Sequence, residues 1–320
     1  MKNLEHFLMG ENYIFEKGYN SLFLDVNVFS PGYLCALAAY IKFNKIEERN
    51  FDTSSDLMGY LRTLGFHKVL WDKSDLINRV NCGKNYSPLT PLIDPKEVDK
   101  ANTTINDCIR HLVNNKRSNG IADLCKVVGE LHDNVWSHGK STGFSMAQRT
   151  KVPNSDGKDH FIEFALSDKG LGFLEELKRA RISIDTHEDA IKWCIQEGNS
   201  SKLNNNDGWV QRLPDDHLGE DPMMGFGGEV PENNHQGLGL AHLIKLIKKY
   251  KGELKLCTGD TIFMINSDGK ETFKKVKNVW KGVAISCRFK ESQLLEPSDK
   301  KILVDPQRKY IIDRLRGIKS

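Results

Sequence analysis

Hydrophobic positions along this chain follow two periods, and the order in which they alternate sketches an architecture. Ile121, Leu124, Val128, Leu131 and Val135 recur at the steps of a 3.6-residue period, which predicts an amphipathic helix. "SPGYLCALAAYIKF" predicts another, because Ser30 can cap it, Pro31 suits the first helical position and an apolar face follows. "NSLFLDVNVF" before it reads as a strand, with a second strand expected near Ile46 to Phe51 and a second helix at "SSDLMGYLRTLGF". Later come a helix over Thr104 to Asn115 and strands at "GFSMAQRTKV" and "HFIEFALSD". "GLGLAHLIKLIKKYKG" sets Leu240, Leu243, Ile244 and Ile247 on one side of a helix and Lys245, Lys248 and Lys249 on the solvent side. "GELKLCT", "DTIFMINS" and "KGVAISCRFK" then read as strands of an antiparallel sheet.

Three stretches interrupt the pattern. Residues 81–99 are rich in turn formers and read as a linker between a small α/β unit (1–80) and a larger domain (100–290). Residues 199–236 are crowded with Gly, Asn, Asp and Pro; so long a loop inside a compact domain is functional or disordered. Residues 291–320 form a basic tail expected to dock as a terminal helix.

Composition narrows the function classes. The 320 residues are 39% hydrophobic and 28% charged with a net charge of +3, an ordinary globular balance that does not predict nucleic-acid binding. No apolar run approaches the length of a membrane span and the N-terminus lacks a signal-peptide core, so a cytoplasmic protein without a membrane partner is expected. Cysteines 35, 82, 108, 125, 194, 257 and 287 are scattered and contain no C-x-x-C pair, which predicts free thiols rather than disulfides or zinc.

The candidate chemistry starts at "ELHDNVWSHGKST", residues 130–142. Its end imitates a P-loop, but that motif needs a glycine where Asn134 stands, and it should follow a strand rather than a helix. The left half is more informative: Glu130, Asn134 and His138 are four apart, hence one polar row on the helix. A carboxylate can deprotonate a nucleophile, and an amide oxygen is a hard ligand suited to magnesium; the competing reading is a solvated face. His132 and His138 are off-phase for joint metal binding, so ordinary polar roles are expected. "SDKGLGF" sets Asp168, Gly170 and Gly172 just after a buried strand, where an aspartate can accept from an exocyclic amine. "QGLGLAHL" opens a helix with Gly237 and Gly239, leaving free N–H groups suited to phosphate. Each glycine cluster alone is also what a turn contains.

In this order the motifs resemble the GHKL ATPase superfamily of gyrase, histidine kinases, mismatch-repair ATPases and bacterial anti-sigma kinases, over roughly residues 100–290. The resemblance implies an α/β sandwich of the Bergerat type, a mixed sheet covered by helices on one face. It also implies ATP and Mg2+ as cofactors. Glu130 would be the general base, Asn134 the magnesium holder and Asp168 the residue that recognises adenine. Gly170 and Gly172 would shape the base pocket, Gly237, Leu238 and Gly239 would meet the phosphates, and residues 199–236 would be the lid. Val135 replaces the usual alanine, and His235 stands where the first glycine of G-x-G-x-G is expected. His138 matches a histidine common in stand-alone members. The segment "LFLDVNVFSPGYLCALAAYI" resembles part of a STAS-type domain, which makes Ser30 a candidate phosphoacceptor beside its reading as an N-cap. The function implied is slow ATP hydrolysis as a regulatory conformational switch in bacteria, with a protein partner or a homodimer. A Ser/Thr kinase of the anti-sigma type and a nucleotide-gated binder without turnover are the alternatives.

Overall fold

The computed structural model describes residues 1–25, 28–74, 77, 79–136, 141–153, 155, 157, 159–199 and 239–296. The chain opens with α1 (Leu4–Leu8), β1 (Tyr13–Glu16), β2 (Ser21–Leu24), α2 (Pro31–Phe43), β3 (Phe51–Thr53), α3 (Ser55–Thr63) and α4 (Phe66–Trp71). Strands β1 and β2 pair antiparallel and β2 pairs parallel with β3, giving a small mixed sheet. There follow β4 (Thr90–Leu92), α5 (Pro95–Leu112), α6 (Asn119–Asn134), β5 (Gly143–Lys151), β6 (His160–Asp168), α7 (Gly172–Arg179) and α8 (His187–Cys194). The described part closes with α9 (Gly239–Lys249), β7 (Glu253–Ile265), β8 (Glu271–Lys290) and α10 (Glu291–Leu295). The second sheet has the order β4-β5-β6-β8-β7. No described helix is long and apolar enough to cross a membrane, and all seven thiols are free.

Two expectations about this sheet need correcting. Its described pairings are antiparallel throughout, not mixed. It is also covered on both faces rather than one. Ile162, Phe164, Leu166, Ile285 and Cys287 pack with α5, α6 and α9, whereas Phe144, Met146, Ala165 and Ala284 pack with α2. Side chains alternate across a strand, so the near-continuous apolar runs "IEFAL" and "VAISC" are what burial on both sides requires.

Local chemistry explains where elements begin. Helix α5 starts at Pro95, not Thr104, because Asp94 Oδ1 accepts from the N–H groups of Lys96 (2.7 Å) and Glu97 (3.2 Å), with proline behind it. The stretch 81–99 thus contains a sheet strand and a helix start. The expected second helix divides into α3 and α4 at Gly65, whose φ of +91° suits glycine. "GELKLCT" and "DTIFMINS" form one strand, β7, with register shifts about Gly259.

The start of α2 is capped from across the interface. Ser30 occupies the N-cap position, yet its side chain makes no capping bond. Glu163 on β6 substitutes: its Oε1 accepts from the Gly32 N–H at 3.3 Å and from the Ser286 hydroxyl at 2.9 Å. A buried carboxylate is tolerable there because the helix N-terminus is the positive end of the dipole. Gly32 permits the approach, since a Cβ would stand 2.7 Å from Ser286 Cβ.

Candidate functional site

Helix α6 presents Glu130 and Asn134 one turn apart at its C-terminal end, and the first turn of α9 meets them there. A Cβ on Gly239 would lie 3.2 Å from Glu130 Cβ and 3.2 Å from Asn134 Nδ2, a tight fit that a glycine relieves. Three residues on, His242 Nδ1 lies 2.9 Å from Glu130 Oε2 and 3.1 Å from Oε1. A carboxylate can only accept, so the imidazole Nδ1–H donates. Glu130 retains 18% side-chain exposure and His242 26%, which leaves the pair reachable from solvent. Lys126 Nζ approaches Glu130 Oε1 at 4.0 Å.

The third candidate residue closes β6. Asp168 pairs in register with Gly143, and a Cβ on Gly143 would lie 3.0 Å from Val135, the neighbour of Asn134. The end of β6 is therefore linked to the end of α6 by one packed contact, and Val135 fits because its partner lacks a side chain. Asp168 is buried, with Oδ1 accepting from the Gly170 N–H at 2.7 Å. Burial pushes its carboxyl up to about 6, against the opposing pull of the Gly170 and Val283 N–H groups and of Lys169.

Glycines build the walls around it. A Cβ on Gly282, at φ +102°, would stand 2.4 Å from the Asp168 carbonyl oxygen, 2.7 Å from its Oδ1 and 2.7 Å from the Gly170 nitrogen. A Cβ on Gly172, at φ +75°, would stand 2.7 Å from Thr258 Oγ1, which accepts from the Phe173 N–H at 3.2 Å. The cradle thus draws backbone from β6, α7 and β8 and the Thr258 hydroxyl from β7.

Glu130, Asn134, Gly239 and His242 gather at one spot; Asp168, Gly170 and Gly172 form the adjoining cradle. Gly237, Leu238, His138, His235 and residues 200–236 of the proposed lid lie outside the described residues, as do residues 297–320 of the tail. His132 is a structural bridge: Nδ1 is 2.6 Å from Asn102 Oδ1 and Nε2 is 2.8 Å from Ser145 Oγ, while burial holds its pKa down to about 3. Ser30 lies with Glu163 on the other face of the sheet, 1% exposed, its hydroxyl without a hydrogen-bond partner among the described residues.

Sequence reasoning missed His242 and Gly282. The first had a local signal, standing three residues from Gly239 and so on its side of the helix. The second was a glycine inside a strand, which marks close backbone approach. No protein-family model matches this sequence, and no curated protein matches it.

Proposed function

We propose that the chain binds ATP with magnesium between the C-terminal end of α6, the end of β6 and the start of α9, and hydrolyses it slowly as a regulatory switch in a bacterial pathway. The observation that carries this reading is the approach of Gly239 to Glu130 and Asn134, more than a hundred positions earlier in the sequence, so close that an added Cβ would lie 3.2 Å from both. A coincidence of turn motifs gives no reason for them to converge.

The roles follow from chemistry. Glu130 is a partly exposed carboxylate oriented by His242, so it can accept the proton of a water directed at the terminal phosphate. Asn134 offers one hard oxygen. Among the described residues no three His, Cys, Asp or Glu side chains converge on a metal position, so a cation here would rely on Asn134 and on phosphate oxygens. Magnesium accepts that arrangement, and when bound it neutralises charge on the phosphates. Asp168 can accept from the adenine amine, with Gly172 and Gly282 letting backbone close in around its carboxylate. The enclosed Ser30, on the far face from Glu130, disfavours a kinase that modifies its own N-terminal unit.

The test incubates the purified chain with magnesium and γ-labelled ATP, following free phosphate and protein-bound label together. Slow release of free phosphate is expected, abolished by Glu130→Gln with ATP affinity retained. Asn134→Ala should lose the magnesium dependence of binding. His242→Ala should lower turnover roughly ten- to a hundredfold at unchanged affinity, the scale on which misplacing a reacting group acts. Label on the protein would favour the kinase alternative. Binding without either product, with a change in oligomeric state under a non-hydrolysable analogue, would favour a nucleotide-gated binder. Absence of binding would end the ATP reading.

A further inference from the structure

Lys169 lies between the acidic end of β6 and the glycines of its turn, yet its side chain leaves that site altogether. Alternation along β6 sends Asp168 to the α6 side of the sheet and Lys169 to the α2 side. There its ammonium lies 3.6 Å from the centroid of the Trp280 ring and 5.6 Å from those of both Tyr40 and Phe43. Tyr40 and Phe43 belong to the last turn of α2. Trp280 is 2% exposed and lies two residues before Gly282, the glycine pressed against Asp168. Both backbone segments that enclose the Asp168 carboxylate therefore send a side chain through the sheet to one aromatic box.

The box continues into the N-terminal layer. Phe7 of α1 lies 6.0 Å from Trp280, 5.9 Å from Tyr40 and 4.7 Å from Tyr13 of β1, centroid to centroid. A desolvated ammonium over an indole face is held more firmly than an exposed one, which helps fix a short turn whose carboxylate is held by the Gly170 and Val283 N–H groups. Burial also draws the Lys169 ammonium down to about 8, so the aromatic faces replace part of the water it has lost.

We infer that Lys169 is a positioning residue: anchored in the Tyr40–Phe43–Trp280 box, it holds the Asp168–Gly172 turn in the shape of a base cradle and couples that cradle to the N-terminal layer. The coupling runs both ways, because whatever loosens the box loosens the turn, and a ligand that fixes the turn tightens α2 against the sheet. The inference deepens the nucleotide reading, and only its binding arm rests on that reading.

The experiment has one arm without nucleotide and one with it. In the ligand-free chain, amide hydrogen exchange is measured at Gly170 and Val283, whose N–H groups hold the Asp168 carboxylate. Lys169→Met and Phe43→Ala are expected to speed exchange at both amides about tenfold, and Lys169→Arg to restore it. Phe43 is 49% exposed, so its truncation tests the box even where Lys169→Met does not fold. In the second arm, ATP affinity should fall about fivefold in Lys169→Met while affinity for inorganic tripolyphosphate, which has no base, stays the same. Unchanged exchange rates in both variants would overturn the inference whatever the chain binds. Faster exchange in the two variants, in a protein whose wild type takes no ATP, would uphold the positioning role and reject the nucleotide reading. Equal loss of ATP and tripolyphosphate would overturn the claim that the turn shapes a base site.

Discussion

Asp168 is where a single residue reveals most. A carboxylate enclosed by backbone, held by two N–H groups and with no ion pair among the described residues, is destabilised in its charged form, hence the rise to about 6 despite the pull of Lys169. The sign is fixed by that direction. Stability due to the protonated form is complete below the ordinary carboxylate pKa near 4 and is lost as pH rises through 6. At pH 7 to 8 the charge then costs about 3 kcal/mol, the linkage value of a shift of about two units. Asp168→Asn keeps the shape and removes the charge. It is expected to raise the unfolding free energy by up to about 3 kcal/mol at pH 7.5, with the gain fading toward pH 4, in urea titrations across that range. The same variant should lose adenine nucleotide binding, because an amide offers the exocyclic amine a weaker acceptor than a carboxylate. A position at which function and stability pull in opposite directions is the mark of a site rather than of packing. An Asp168→Asn chain no more stable than wild type at pH 7.5 would show that the charge is already compensated.

At the scale of elements, the contact between α2 and the sheet decides the architecture. It depends on Gly32, over which Ser286 Cβ and Oγ would lie at 2.7 and 2.9 Å from an added methyl, and on Glu163 as the cap from β6. Gly32→Ala is expected to destabilise the chain by about 1–3 kcal/mol through overpacking, and Ser286→Gly, which removes the clashing atoms, to recover part of that loss in the double variant. Additive losses in a urea double-mutant cycle would place the strain elsewhere, Leu4 being the next contact at 3.1 Å. The elements themselves were largely legible. The 3.6-residue period located α6 and α9, the cap signals located α2, and apolar runs located β5, β6, β7 as two strands and the second half of β8. The two covered faces were not, because a run buried on both sides carries no sign of what covers it. Asp94-Pro95 is a helix start that looks like a turn until its carboxylate is seen to accept two N–H groups. The candidate site was legible where its residues repeat along one helix, as Glu130 and Asn134 do. It was not legible where it depends on distant contact: His242 meets Glu130 across 112 positions of sequence.

For the whole molecule, the arrangement of the core bears on how it unfolds. The linker-like composition of residues 81–99 suggests two units able to melt separately. The core of the N-terminal layer, however, includes Phe144, Met146, Ala165, Cys257, Ile262, Trp280 and Ala284 from the large sheet. Detaching α2 would expose that apolar face to water at about 25 cal/mol for each Å² uncovered, and would leave the Glu163 carboxylate without its helix N-terminus. Neither layer is then expected to hold on its own, and the described chain should unfold in one cooperative step. Trp71 on α4 reports the N-terminal layer, its indole N–H donating to the Ile46 carbonyl at 2.9 Å, and Trp280 reports the large sheet. Variants that keep one or the other as the only fluorophore should give coincident urea midpoints. Saturating Mg-ATP at a hundred times its Kd should move both midpoints together, by the equivalent of about 2.7 kcal/mol, although the nucleotide would touch only one side of the sheet. Separate midpoints would show that the interface between the layers is too weak to carry a signal. Coincident midpoints that both shift with nucleotide would make the shared sheet the element through which occupancy of one face is felt on the other.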